Sequence, residues 1–139
     1  MSSTVASKSF ASPTILPRYL SPALHTLLRI VTGLLLLEHG TGKLLGFPAG
    51  LSAVGKTPAA LLYFTGSMEL VGGVLITLGL FTRPVAFILS GFMACAYFMA
   101  HFPRSFFPVL NGGELAVLFC FVFLYFAAAG PGPWAFDRD

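Results

Sequence analysis

The chain has 139 residues and a formal net charge of +3, with 56% hydrophobic and only 9% charged side chains. Soluble domains carry roughly 25% charged residues, so the composition excludes an ordinary soluble domain and points to one small membrane domain. The basic residues Lys8, Arg18, Lys56, Arg83, Arg104 and Arg138 stand singly near the ends of apolar runs. That is the pattern of membrane flanks, and it argues against a nucleic-acid partner.

Residues 1–21 are rich in Ser, Thr, Ala and Pro and read as a mobile tail. They do not read as a signal peptide, because the first apolar run is followed by His-Gly-Thr-Gly-Lys and not by a small-residue cleavage site. About 20 mostly apolar residues cross the roughly 30 Å of a bilayer core. The first run of that kind covers 22–45, and 46–57 is a loop. The second covers 58–81, with Pro58 suited to a first turn and Thr57 to a cap. Thr82-Arg83-Pro84 makes a short connection, so the third run, 84–102, should be antiparallel to the second. Residues 103–112 form a second loop, the fourth run covers 113–130, and 131–139 is a C-terminal tail with the single tryptophan, Trp134.

The expected fold is therefore an all-α integral membrane four-helix bundle over 22–130, packed through the many glycines of its spans. Four spans put both termini on one side, and the positive-inside bias places that side in the cytoplasm. The lipid bilayer is the first partner.

The polar residues have a depth pattern. Glu38, His39 and Lys43 fall in the outer half of the first span, His101 at the outer end of the third, and Glu114 at the outer start of the fourth. Glu69 lies about 11 residues into the second span, or about 16 Å, near mid-membrane. Arg29 lies in the inner third of the first span. Ionisable groups at such depths usually face a protein interior or a water-filled cavity.

Residues three and four apart share a helix face. Arg29, Gly33, Leu36, Gly40 and Lys43 form one stripe, and Gly66, Glu69 and Gly73 form another. Glu38 is about 180° from Arg29 on an ideal helix. Either the helix unwinds at Gly40 and Gly42, or the two groups have different partners. Buried charges of this kind can also serve only to pair and fix register. Taken as a site, Glu69 and Glu114 are the candidate proton-handling residues. His39, Lys43, Glu38, Arg29 and His101 are the candidate binding residues, and no metal-ligand spacing is present. Cys95 and Cys120 both sit in apolar runs and form no CxxC.

These motifs together resemble the DoxX family of small four-helix membrane proteins. Arg29 with Gly33, then His39-Gly40 and Lys43-Leu44, are similar to its first-helix pattern. Gly66 with Glu69-Leu-Val-Gly-Gly, then Leu78-Gly-Leu-Phe-Thr-Arg83, are similar to its second. Gly112-Gly-Glu114 and Gly130-Pro-Gly132 with Asp137 resemble its fourth-helix start and C-terminal turn. The resemblance implies a bacterial inner-membrane protein linked to quinone-dependent oxidoreductase systems. Quinone is then the expected ligand, and a redox partner protein or a soluble cofactor supplies electrons, since the sequence holds no flavin fingerprint or haem pair. A scaffold subunit and a proton-coupled transporter are the competing expectations for function, and a second copy of the chain is a further expected partner.

Overall fold

The computed structural model describes residues 15–50 and 55–137. Of the tail expected over residues 1–21, residues 1–14 lie outside the described residues, as do the middle of the first loop (51–54) and the flanking charge Arg138, whereas residues 18–21 are helical. Among the described residues the structure is helical throughout, without a strand.

A 3-10 turn, Arg18–Leu20, leads into α1, Ser21–Leu44, whose first turn holds Pro22, where a missing N–H costs no helical bond. α2 spans Ala59–Leu78 and α3 Thr82–Ala96. α3 continues through a π-helical turn, Tyr97–His101, and a 3-10 turn, Phe102–Arg104. A short α4, Pro108–Asn111, precedes α5, Glu114–Ala129. The three helical segments Arg18–Leu44, Ala59–Leu78 and Thr82–Arg104 are long and apolar enough to cross a membrane. α5 is apolar but shorter, 16 residues or about 24 Å.

Two local expectations need correction. Thr57 does not cap α2: the residue before that helix is Pro58, with no side-chain capping bond. The connection between the second and third helices is not Thr82-Arg83-Pro84, which form the first turn of α3. The turn is Gly79-Leu80-Phe81. Gly79 takes a left-handed conformation (φ 68°), and the Leu80 N–H returns to the Leu75 carbonyl at 2.9 Å, a glycine-terminated helix end. Pro84 stands within that first turn, where its missing N–H costs no helical bond.

α1 packs chiefly on α2, and α3 chiefly on α5. Leu36, Ile76, Ala86, Leu89, Met93, Phe119, Phe123 and Phe126 form the apolar core between the pairs. The interior also holds Thr26, Arg29, Glu69, Ser90 and Asn111, while Val31, Leu34, Phe64, Val71, Phe87 and Phe121 face outward. Buried charge inside an apolar exterior is the distribution a hydrocarbon solvent imposes.

Glycines set the closeness of α1 and α2. A Cβ on Gly40 would stand 2.5 Å from the Leu70 amide nitrogen, and one on Gly73 would stand 2.7 Å from that of Leu37. Backbone cannot yield there, so only glycine allows this approach. α1 is unbroken through Gly40 and Gly42. Arg29 and Glu38 accordingly have different surroundings, the first fully buried and the second exposed.

Candidate functional site

The close α1–α2 seam carries an ion pair across it. Lys43 Nζ donates to Glu69 Oε1 at 2.6 Å, and the two side chains are only 13% and 8% exposed. A second, longer bond runs from Lys43 Nζ to Thr65 Oγ1 at 3.4 Å. Gly66 allows the arrangement, since a Cβ there would meet the Leu44 side chain at 2.9 Å and Lys43 Cβ at 3.1 Å. The other carboxylate oxygen, Glu69 Oε2, is buried with no hydrogen-bond partner. A carboxylate oxygen without a donor in a dry interior is costly. That oxygen is the acceptor of the pair left open.

His39 lies half-buried within electrostatic reach of Glu69, its ring edge-on to Phe119 of α5 at 6.4 Å and 85°. His39, Lys43 and Glu69 are thus brought together, with Thr65 added. The remaining candidates are not. Glu38 is exposed on the outward stripe that also holds Val31, Leu34 and Leu35. Glu114 opens α5 on the exposed stripe with Leu118, Phe121 and Tyr125, where its charge favours the helix N-terminus. His101 belongs to a separate knot at the end of α3: its Nδ1 meets the Asn111 carbonyl at 3.1 Å, and its ring stacks on Tyr97. Asn111 is buried there, donating to Ser105 O at 2.9 Å and accepting from Gly113 N at 2.7 Å.

Arg29 is at the other end of the bundle and does not pair with Glu69. Its guanidinium donates to the carbonyls of Ile76 (2.7 Å), Thr77 (2.8 Å) and Trp134 (2.9 Å). The first two are carbonyls of the last turn of α2, where a cation is favoured, and that of Ile76 also accepts from Gly79 N at 3.1 Å. Arg29 thereby ties the C-terminal segment to the α1–α2 pair. Thr26 Oγ1 adds a bond to Pro133 O at 2.6 Å. The Asp137 carboxylate accepts from Phe81 N (2.8 Å) and Thr82 N (2.7 Å), capping α3 and holding Phe81 in its left-handed conformation, φ 50°. Partial burial would push the Asp137 carboxyl up, but these N–H bonds and the Arg29 charge outweigh it and hold the group below its ordinary value.

The sequence reading missed Thr65, Thr26 and Asn111, and also His25, whose Nδ1 meets Tyr125 Oη at 2.9 Å and whose Nε2 meets the Gly130 carbonyl at 3.0 Å. Thr26 was within reach of it, since it lies three positions before Arg29 on the same stripe. His25 and Asn111 carry no spacing signal, because their partners are about 100 and fewer than 15 residues away in loops and helix ends. Among the described residues no group of three or more His, Cys, Asp or Glu could hold a metal ion. Cys95 is exposed and Cys120 half-buried, and the two are not bonded.

A bundle of apolar-faced helices around an ion pair and an arginine clamp defines a small multi-pass membrane protein. Residues 24–102 match the family model described as DoxX, and the chain belongs to the DoxX family. It is 46% identical over 115 residues to an uncharacterized protein of Haemophilus influenzae, covering 80% of this chain and 86% of that one. It is also 35% identical over 66 residues to the Bacillus subtilis protein named "Putative oxidoreductase CatD", covering 46% of this chain and 49% of that one. No solved structure matches the chain.

Proposed function

We propose that this protein is the membrane subunit of a quinone-linked redox system, with the quinone headgroup received at Glu69, Lys43 and His39. The observation that carries the reading is the buried, partnerless Oε2 of Glu69 beside a lysine and a histidine. The relative named as an oxidoreductase adds support for the class of chemistry.

The residues suit the ligand. A quinone presents two carbonyl oxygens, and Lys43 and His39, one helical turn apart on α1, supply donors. Converting it to the quinol takes two electrons and two protons. Glu69 is the group placed to hand on a proton, and Lys43 stabilises its carboxylate once the proton has left. The electrons come from a redox partner protein docked on the bundle. Lipid is the surrounding solvent, and the bacterial inner membrane is the compartment this role requires.

The test is titration of a soluble quinone analogue into purified wild-type and Lys43→Met protein between pH 5 and 9. The proposal expects binding to the wild type, and a change in both affinity and pH dependence in the variant. Identical curves, or no binding to either protein, would leave a scaffold role for the ion pair in its place.

A further inference from the structure

At the end of the bundle opposite the Lys43–Glu69 pair lies a cleft that this chemistry does not use. It has a volume of about 420 Å³ and opens between the entry turn, α1 and Tyr125 of α5. Its rim carries the Arg18 guanidinium and the Ser21 hydroxyl, both exposed. Its wall is His25, whose ring nitrogens are both engaged. One accepts or donates to Tyr125 Oη at 2.9 Å and the other, Nε2, meets the Gly130 carbonyl at 3.0 Å and so carries the hydrogen. The cleft therefore has one fixed cation, one hydroxyl and an imidazole wall whose two nitrogens are both hydrogen-bonded. Among the described residues no acidic side chain lines it.

The lower part is apolar. Leu24 and Leu28 line it on successive turns of α1, 47% and 44% exposed, and carry it about 6 Å toward the hydrocarbon. Tyr19 and Trp134, 77% exposed at the same end, are the residue types that sit at headgroup level. The cationic rim then stands among the headgroups and the apolar slot runs down from it.

We infer that this cleft is a binding site for an anionic phospholipid, its phosphodiester on Arg18 and Ser21 and one acyl chain along Leu24 and Leu28. A net-negative headgroup fits because the cleft offers a cation and no acid to receive a choline or ethanolamine ammonium. One arginine near a headgroup contributes about 1 kcal/mol, or about fivefold in affinity.

The experiment titrates short-chain phosphatidylglycerol, short-chain phosphatidylcholine and inorganic phosphate separately into delipidated full-length protein in neutral detergent. Wild type should bind the phosphatidylglycerol about fivefold more tightly than the phosphatidylcholine. Arg18→Ala should abolish that preference, while Arg104→Ala, an exposed arginine at the far end, should keep it. Leu28→Trp, which fills the slot, should weaken both lipids. Equal binding of the two lipids by wild type would overturn the site, as would equal effects of Arg18→Ala and Arg104→Ala. Displacement of the lipid by inorganic phosphate at the same concentration would reassign the rim to a free anion and overturn the lipid assignment.

Discussion

Lys43 and Glu69 meet at 2.6 Å across the α1–α2 seam, although 26 residues separate them in the chain. Replacing Lys43 by Met leaves the carboxylate buried without its cation. Removing one partner of a buried pair costs on the order of 3–5 kcal/mol, whereas replacing both by apolar groups is often neutral. Lys43→Met should therefore lower the unfolding midpoint in mixed micelles, and adding Glu69→Leu should recover most of the loss. A double variant as unstable as the two single losses added together would show that the pair is not coupled.

Gly40 tests how the pair is positioned. Its Cβ would fall on the Leu70 backbone, so Gly40→Ala must push α2 away, at a cost of about 1–3 kcal/mol. Gly91 has open space around its missing Cβ, and Gly91→Ala should be neutral or slightly stabilising. The comparison is one of melting temperatures in the same detergent. Equal effects at the two positions would mean that close helix approach is not what Gly40 provides.

Arg29 holds three carbonyls at once. Arg29→Met should remove the donor from the Thr77 and Trp134 carbonyls and leave that of Ile76 with only its Gly79 N–H; bonds to charged donors are worth about 1.5–3 kcal/mol each. Because Trp134 is the single tryptophan, its emission reports directly on the segment that Arg29 ties down. A red shift and faster proteolysis within residues 130–137 are expected. An unchanged emission spectrum in a folded variant would show that Thr26 and Asp137 suffice.

Asp137 gives a pH prediction. Its carboxyl is held below the ordinary value of 3.8 in the folded protein, so the folded state binds its proton less readily than the unfolded state. The stabilisation is fully present above about pH 4 and fades as pH falls through the lowered folded value. Trp134 emission should stay constant from pH 7 to about 4 and then shift to the red. In Asp137→Ala the shift should already be present at pH 7. A wild-type transition centred above pH 5 would require another group.

Helix periodicity alone revealed much of this architecture. The stripe of Arg29, Gly33, Leu36, Gly40 and Lys43 faces the bundle interior, and Gly66, Glu69 and Gly73 are buried with it, because spacing on a helix fixes which residues share a face. What spacing cannot give is the partner on another segment. Arg29 and Glu69 could each have paired with anything at their depth. Arg29 instead finds carbonyls at a helix end and in a loop, which have no side-chain signature. Glu114 failed to join the Lys43 group because depth was legible but azimuth was not: the face of α5 that turns inward is set by Phe119, Phe123 and Phe126.

The bonds from Phe81 and Thr82 to Asp137 span 56 and 55 residues of chain. Synthesis therefore delivers the α2–α3 hairpin to the membrane long before the carboxylate that closes its turn. Until then the Arg29 side chain lacks its Trp134 carbonyl and the two turn amides lack their acceptor. The segment that follows α5 acts as a closing clasp, so the terminal end of the bundle takes its final form only after α5 has been made and its C-terminal end has come back beside α1.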